Sequence, residues 1–189
     1  KLAPGTFRME LSGDTSAIVR PGQFVNIKVE NAYLRRPLSV AAWQKDQMTL
    51  VYKVVGIGTQ WLAECLPGAR LDALMGLGNG FDLNLAGGTP LLVGGGVGLP
   101  PLYQLGVELV RQGAKPRLVM GFGSREDVFY LEEFQALMPV SVATVDGSMG
   151  TPGFVTAVPL TGEESFLYAC GPTPMLKALC SLPLPGQLS

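Results

Sequence analysis

Histidine is absent from the 189-residue chain, and cysteine occurs only three times. Without histidine, the chain lacks the side chain that most often acts as a general base and most often binds zinc. The three cysteines, Cys65, Cys170 and Cys180, include no CxxC pair, which argues against a disulfide framework and favours a reducing, cytoplasmic environment. We therefore expect any catalysis to depend on a cofactor that supplies the chemistry.

A large excess of one charge and a long apolar run are also missing. Lys and Arg total 14 against 15 Asp and Glu, so no basic excess is available to bind nucleic-acid phosphates. The best candidate for a membrane span, residues 90–110, is interrupted by glycines, by Gln104 and by Glu108. No signal peptide is evident. We expect neither nucleic-acid nor membrane binding, and the 47% of apolar residues is enough for a real core.

Two patterns of hydrophobic residues divide the chain. Short segments rich in β-branched and aromatic residues, punctuated by Pro-Gly at 21–22 and 67–68, predict a small antiparallel β-barrel in the first half. We predict one helix, Thr59 to Leu66, within it. After residue 86, apolar strands alternate with amphipathic helices, which predicts a parallel α/β sheet with helices on both faces. The predicted domains are 1–86 and 87–189. The first helix of the second domain is expected to bury one face: Leu102, Leu105, Leu109 and Val110.

Two glycine motifs lie at predicted strand ends in the second half. In LLVGGGVGLPPL, the glycines stand between a buried strand and a helix: Gly94, Gly95, Gly96 and Gly98. Such glycines allow a phosphate to approach the backbone at a positive helix N-terminus, but tight-turn packing would require them as well. In YACGPTPML, the last strand ends at Cys170, Gly171 and Pro172, on the sheet edge where α/β folds bind ligands. A buried cysteine there can equally be a small apolar residue.

Two motifs in the first half have residues that suit the binding of a phosphate group. In RRPLSV, a solvated edge strand would account for Arg35, Arg36 and Pro37, but an arginine fork also suits bidentate phosphate contacts, and Ser39 follows closely. In GIGT, Gly58 and Thr59 begin the predicted helix, which fits either an ordinary N-cap or a shared anion site.

Considered together, these motifs resemble the ferredoxin reductase superfamily and, within it, the electron-transfer subunits of B-type dihydroorotate dehydrogenase. The resemblance extends over essentially the whole chain and includes PGQFV, RRPLSV, YKVVGIGT, LGNGF, LLVGGGVGLPPL, VDGSMGTPGFVT and YACGPTPML. It implies an N-terminal FAD-binding barrel, a C-terminal NAD(H)-binding domain, and an NAD-dependent flavoprotein oxidoreductase that exchanges a hydride between NAD(H) and FAD. No side-chain acid or base is expected to take part in this exchange.

The resemblance also implies roles for particular residues. The expected FAD-binding residues are Arg36, Pro37, Leu38, Ser39, Val51, Tyr52, Lys53, Gly58 and Thr59. The expected NAD-binding residues are Gly94, Gly95, Gly96, Gly98, Cys170, Gly171 and Pro172. Among these, Cys170 and Gly171 would border the nicotinamide, and Arg36 would meet an FAD phosphate. We expect NADH rather than NADPH, because Glu126 and Asp127 beside Arg125 would repel a 2′-phosphate, and Asp146 adds another acid.

The family implies a partner and an iron–sulfur centre. The partner is an FMN-containing dihydroorotate dehydrogenase catalytic subunit of pyrimidine biosynthesis, in a heterotetramer. Members usually continue into four closely spaced cysteines that bind a [2Fe–2S] centre, whereas this sequence stops at Ser189 and its three cysteines lack that spacing. We therefore expect FAD but no metal in this chain, and a natural polypeptide that continues further.

Two alternatives to the dehydrogenase subunit stay open. The first is a related NAD(P)H:acceptor reductase subunit that serves ferredoxin or sulfur reduction. The second is a non-catalytic domain that keeps the fold and binds a partner without turnover.

Overall fold

The computed structural model describes residues 1–30 and 32–189. Its first half contains five antiparallel strands and one helix. The strands are β1 (Thr6–Ser12), β2 (Phe24–Ile27), β3 (Arg36–Gln44), β4 (Gln47–Lys53) and β5 (Ala73–Leu77). Their order in the sheet is β1-β4-β3-β2-β5, and helix α1 (Ile57–Glu64) lies between β4 and β5 in the chain. The predicted antiparallel β unit is confirmed.

Strand β4 shows why this sheet has two apolar faces. Side chains alternate along a strand, so Leu50 and Tyr52 point into the core of the antiparallel unit while Val51 points to the opposite side. Val51 is 4% exposed and packs in the cluster that continues into the second half. At the end of β4, Lys53 pairs with Thr6 of β1. The outer face of the sheet at this end therefore adjoins the second half of the molecule.

The second half is a parallel sheet with helices. Its strands are β6 (Leu91–Gly95), β7 (Arg117–Phe122), β8 (Val140–Thr144), β9 (Thr151–Pro152), β10 (Leu167–Cys170) and β11 (Gly186–Leu188), in the order β11-β10-β6-β7-β8-β9. Its helices are α2 (Pro100–Arg111), α3 (Leu131–Gln135) and α4 (Thr173–Leu179). Phe134 of α3 and the leucines of α2 pack in the cluster on one face of the sheet, whereas Leu179 of α4 packs on the other. The prediction of helices on both faces is confirmed.

Helix α2 joins the two halves through a shared apolar core. Leu102 and Leu105 are fully buried, and they belong to the same cluster as Ala41 of β3, Val51 of β4 and Phe81 of the connection between the halves. A continuous apolar interface of this kind opposes independent domain motion. The two halves are therefore held in a fixed relation, which determines the distance across any site between them.

Polar contacts also attach the connection between the halves to the parallel sheet. The hydroxyl of Tyr168 donates to the carbonyl oxygen of Asp82 at 2.6 Å. The side chain of Gln187 accepts from the N–H of Asp82 at 2.9 Å and donates to the carbonyl of Gly80 at 2.9 Å. Edge strand β11, which contains Gln187, therefore helps to hold residues 80–82, the connection between the two halves, against the parallel sheet.

Several predicted details differ from the structure. The helix expected from Thr59 to Leu66 begins two residues earlier, at Ile57. Val110 is 38% exposed, so its predicted burial with Leu109 is wrong; one residue rotates about 100° around a helix and carries Val110 off the buried face. Strands β5, β9 and β11 were not predicted. The predicted boundary at residue 86 falls between β5 and β6, and the division into domains 1–86 and 87–189 stays a prediction.

None of the α-helices among the described residues has the length and apolarity needed to cross a membrane.

Candidate functional site

A cavity of about 960 Å³ lies between the two halves. Thr6 and Lys53 contribute to its wall from the antiparallel sheet. The remaining wall comes from the carboxyl ends of the parallel strands, the loops that follow them and helix α4. The strand ends include Gly95 at the end of β6, Phe122 at the end of β7 and Gly171 after β10. This edge of an open parallel sheet is where ligands bind in α/β folds.

The glycine turn after β6 forms one wall of the cavity. Gly95, Gly96 and Gly98 all line it, and the turn leads into α2, which begins with Pro100 at a position where a missing N–H costs nothing. A Cβ atom on Gly98 would overlap the carbonyl oxygen of Cys170 on the neighbouring strand. Glycine is therefore required at this position, because the turn and the end of β10 approach closely.

Two of the seven expected NAD-binding residues lie beside the cavity rather than in its wall. Gly171 and Pro172 line the cavity, but Gly94 and Cys170 do not. A Cβ on Gly94 would overlap Leu99, so this glycine serves the packing of the turn. Cys170 packs against the core shared by the two halves, and burial raises the pKa of its thiol to about 11. The thiol is therefore neutral near pH 7.

The expected FAD phosphate residues come together at the start of α1. Arg36 of β3 packs across Gly58, and a Cβ atom on Gly58 would overlap the Nε atom of Arg36. The Nη1 atom of Arg36 donates to the carbonyl of Leu34 at 2.7 Å. No carboxylate among residues 1–30 and 32–189 forms an ion pair with Arg36. The guanidinium group thus lies beside the positive end of the helix without a counter-charge.

Thr59 acts as the cap of α1 through its side chain. Its Oγ1 atom accepts from the N–H groups of Val55 at 2.9 Å and Gly56 at 3.2 Å, and it donates to the carbonyl of Gly56 at 3.0 Å. The hydroxyl group is therefore fully used within the protein. The first N–H groups of a helix have no partner inside the helix, so they are the donors available to an anion here.

Arg35, next to Arg36, has a different environment. Its guanidinium group binds Asp72 in a bidentate manner, with Nη1 to Oδ1 at 3.0 Å and Nη2 to Oδ2 at 2.9 Å. This pair also lowers the pKa of the Asp72 carboxyl group, chiefly through the hydrogen bond from Arg35. A solvated edge strand would have left Arg35 without a partner, whereas the structure gives it one within the chain.

The other expected FAD residues lie on opposite faces of the antiparallel sheet. Tyr52 is buried in the core of this unit, so its backbone rather than its side chain is available to a ligand, and Leu38 is partly buried against the same core. Burial raises the pKa of the Tyr52 hydroxyl to about 12. Pro37 is exposed and Ser39 is half-buried, on the alternate positions of β3. Of this group, Lys53 is the residue that reaches the cavity.

Apolar side chains that the site assignments did not include also line the cavity. Val97, Val145 and Phe154 are 45%, 53% and 70% exposed, although all three are apolar. Exposed apolar groups that converge on one concave surface are typical of a ligand site. Val145 and Phe154 belong to the segment VDGSMGTPGFVT, which was part of the family resemblance. That segment could therefore have pointed to these two residues.

Within residues 1–30 and 32–189, no group of three or more Cys, Asp or Glu side chains lies close enough to hold a metal ion. Cys65, Cys170 and Cys180 are free thiols. They follow α1, end β10 and follow α4, respectively. The described residues therefore do not fit an iron–sulfur centre, which needs four ligands.

The fold and the cavity between its halves define a protein of the ferredoxin reductase type. A solved structure of an NADH-dependent reduced ferredoxin–NADP oxidoreductase aligns with 100% of this chain and 72% of that chain, at 32% identity and a TM-score of 0.89. No protein-family model matches the chain.

Curated relatives narrow this class to one family. The electron-transfer subunit of dihydroorotate dehydrogenase B (NAD(+)) from Shouchella clausii is 46% identical in an alignment that covers 95% of this chain and 73% of the relative. The subunit of the same name from a Geobacillus species (strain WCH70) is 47% identical over 94% of this chain and 73% of the relative. The chain belongs to the family of dihydroorotate dehydrogenase B electron-transfer subunits. It is an oxidoreductase subunit with an electron-transfer function, and the family resemblance of the sequence is confirmed.

Proposed function

We propose that this chain binds FAD on its antiparallel unit, binds NAD(H) in the cavity, and brings the two together for hydride exchange. The observation that carries the proposal is the shared cavity wall. Lys53 and Thr6 come from the antiparallel sheet, and the glycine turn 95–98 comes from the parallel sheet, yet all of them line one space of about 960 Å³. A flavin held on the first surface and a nicotinamide held on the second would meet in this space.

The first surface suits a flavin dinucleotide because two phosphate-binding elements are adjacent. Arg36 supplies a cation without a carboxylate partner among the described residues, and Gly58 allows it to pack against the start of α1. An arginine fork and a helix N-terminus each favour phosphate oxygens. Two such elements suit the pyrophosphate of FAD better than the single phosphate of FMN. The backbone of residues 51–53 and the exposed edge at Pro37 and Ser39 would contact the flavin ring.

The second surface suits a nicotinamide dinucleotide. The glycine turn offers close backbone approach at the start of α2, and Val97, Val145 and Phe154 offer apolar cover. We propose NAD(H) rather than NADP(H), because the cavity wall includes the carboxylate of Asp127, and Glu126 is its neighbour. Either acid would repel a 2′-phosphate. Gly171 would border the nicotinamide directly. Cys170 would lie one layer further from the nicotinamide, with its carbonyl oxygen close to Gly98.

The side chains around this junction position the reactants and exclude water. The bound cofactors supply hydride chemistry, so the chain needs no acid or base at the reacting atoms. The rigid apolar core that α2 shares with both halves fixes the separation of the two binding surfaces. Correct placement of two reactants is itself a major contribution to rate.

We propose an FMN-containing dihydroorotate dehydrogenase catalytic subunit as the partner, in a heterotetramer located in the cytoplasm. The support is the name shared by the curated relatives, which are electron-transfer subunits of dihydroorotate dehydrogenase B. A reductase subunit for another acceptor is the second candidate, supported by the likeness to the NADH-dependent reduced ferredoxin–NADP oxidoreductase.

Anaerobic titration tests the proposal. The purified chain, reconstituted with FAD, is expected to lose its flavin absorbance on addition of one equivalent of NADH and to recover it with a dye acceptor. NADPH is expected to act much more slowly. A chain that retains FMN but not FAD would contradict the flavin assignment, and a bound flavin that NADH leaves oxidised would favour a binding domain without turnover. Candidate partner subunits are then added to the reduced chain. The partner that reoxidises the flavin distinguishes a dihydroorotate dehydrogenase subunit from another acceptor.

A further inference from the structure

One ion pair spans the mouth of the cavity. The Nζ atom of Lys53, at the end of β4, lies 3.4 Å from Oδ1 of Asp127, in the turn after β7. The side chains are 47% and 32% exposed, so water screens the attraction and the pair is weak. Among the five ion pairs of the described residues, this one alone joins the antiparallel half to the parallel half.

Lys53 and Asp127 are also the only charged side chains in the described cavity wall. The cavity wall thus holds one cation and one anion, and each is the charged partner of the other. Strand β4 lies beside the glycine turn 95–98, and Lys53 and this turn line the same cavity. Its ammonium group and the turn can therefore act on the same anion.

The two members of the pair differ in how they are held. Oδ2 of Asp127 also accepts from the hydroxyl of Ser124 at 3.3 Å, so this carboxylate has a second partner within its own turn. Lys53 has no second side-chain hydrogen bond among the described residues. A dinucleotide brings phosphates that can replace Asp127 as the partner of Lys53. The carboxylate would then keep Ser124, while the lysine side chain would turn toward the ligand.

We propose that Lys53 is an exchangeable cation of the nucleotide site: it pairs with Asp127 in the free protein and with the pyrophosphate of NAD(H) in the complex. The inference rests on the proposed function and adds a residue to it, because the family resemblance places Lys53 in a flavin-binding segment. Asp127 becomes a competitor that lowers nucleotide affinity. It also keeps the cation at the cavity mouth before the ligand arrives.

Exchange requires effects of opposite sign from the two residues. Lys53→Met removes the cation and should weaken binding of ADP-ribose, which carries the pyrophosphate without the nicotinamide, by roughly 10-fold or more. Lys53→Arg should restore most of the affinity. Asp127→Asn frees the lysine and should tighten binding by roughly two- to five-fold, the range of a weak exposed ion pair. Isothermal titration calorimetry on the FAD-loaded chain measures these changes without turnover.

Matched controls separate a local effect from a change of net charge. Lys45→Met removes an exposed lysine from the turn between β3 and β4, and Glu132→Gln removes an exposed carboxylate of α3 outside the cavity wall. Both should leave ADP-ribose affinity nearly unchanged. In a chain that already contains Lys53→Met, Asp127→Asn should no longer tighten binding, because there is no lysine left to release.

Three results would overturn the exchange. If both single substitutions weaken ADP-ribose binding, the pair is a structural bridge. If Asp127→Asn tightens binding equally with and without Lys53, the carboxylate acts by repulsion alone. If Lys53→Met lowers FAD content but leaves ADP-ribose affinity unchanged, the lysine serves the flavin. A wild-type chain that binds FAD but neither ADP-ribose nor NADH would contradict the proposed nucleotide site itself. The three results above would contradict only the exchange of Lys53 between its two partners.

Discussion

Arg36 and Gly58 are in direct contact across the antiparallel unit, and the contact is possible only because Gly58 has no side chain. Arg36 lies near the start of β3, and Gly58 lies in the first turn of α1. The guanidinium group is thereby positioned beside the free N–H groups of the helix start. Two elements that are separate in the sequence become one positively charged surface.

Arg36→Ala is expected to weaken FAD binding about 10- to 150-fold. A hydrogen bond to a charged group contributes roughly 1.5–3 kcal/mol, and each 1.4 kcal/mol corresponds to about a tenfold change in affinity. Arg35→Ala is the matched control. Because Arg35 is occupied by its exposed ion pair with Asp72, its removal should have little effect on stability and leave FAD affinity nearly unchanged. Fluorescence titration measures FAD affinity in both variants. An equal loss of affinity in the two would contradict the proposal that Arg36 binds an FAD phosphate.

Gly58→Ala is expected to weaken FAD binding although Arg36 is still present. The new Cβ atom would displace the guanidinium group. Alanine is otherwise better than glycine within a helix by roughly 0.5–1 kcal/mol, so a loss of cofactor would not follow from helix propensity. Gly56→Ala is the control, since a Cβ there meets no atom within 4 Å. If the double variant Arg36→Ala/Gly58→Ala binds FAD no worse than Arg36→Ala alone, the glycine acts through the arginine. Fully additive losses would contradict this.

Gly98→Ala is expected to impair reduction by NADH while FAD remains bound. Its Cβ would overlap the carbonyl oxygen of Cys170, so the glycine turn and the end of β10 would have to separate. Overpacking of this kind typically costs about 1–3 kcal/mol, and it occurs at the wall of the nucleotide cavity. Gly88→Ala, where a Cβ meets nothing within 4 Å, serves as the control. Stopped-flow reduction kinetics and thermal unfolding measure the two effects, and normal kinetics in Gly98→Ala would argue against a nucleotide at this turn.

Glu164 and Arg117 form an ion pair that should make stability depend on pH in the acid range. The Glu164 side chain is 3% exposed, and Arg117 Nη2 lies 2.6 Å from its Oε1. Burial alone would raise the pKa of Glu164, but hydrogen bonds from the backbone near Thr161 and from Arg117 outweigh it and lower the pKa from 4.5 to about 2. The folded pKa lies below the unfolded one, so this stabilisation is complete above about pH 4.5 and disappears as the pH falls toward 2.

Glu164→Gln should therefore flatten the pH dependence of stability in that window. It should also lower stability at neutral pH by about 1–3 kcal/mol, because the half-buried arginine loses its charged partner. Glu163→Gln changes the exposed neighbouring carboxylate and should alter neither quantity. Urea denaturation at a series of pH values provides both measurements. An unchanged pH profile in Glu164→Gln would assign the acid sensitivity to other carboxylates.

Local patterns were sufficient to predict the central strands of the parallel half and helix α2. The apolar strand Leu91–Gly95, the glycine turn and the leucines of α2 follow one another in the sequence, so their hydrophobic periodicity indicated a strand, a turn and a helix. The inward position of Tyr52 could also have been predicted, since Met48, Leu50 and Tyr52 alternate along β4. The glycine turn lines the cavity, and its role in binding a phosphate stays a prediction.

Contacts between distant segments could not be predicted in the same way. Strand β11 has three residues, too few for a recognisable alternation, and it exists because it pairs with β10. The same holds for the contacts of Gln187 with the loop at residues 80–82 and for the ion pair of Lys53 with Asp127. No local propensity encodes them, because they depend on how the two halves pack. The sequence patterns therefore identified Lys53 and Asp127 separately but missed the ion pair between them.

The 189-residue chain is expected to bind FAD without iron. A [2Fe–2S] centre needs four protein ligands, ordinarily thiolates. Cys65, Cys170 and Cys180 lie at three separate element ends, and burial raises the pKa of Cys170 to about 11, which disfavours its thiolate form. Anaerobic reconstitution with iron and sulfide, followed by metal analysis and EPR after reduction with NADH, should detect flavin signals but no reduced cluster. Cys180→Ser should behave identically. The prediction would be contradicted if the wild-type chain bound stoichiometric iron and Cys180→Ser did not. The cysteines would then have to come together, which the fold described above does not allow.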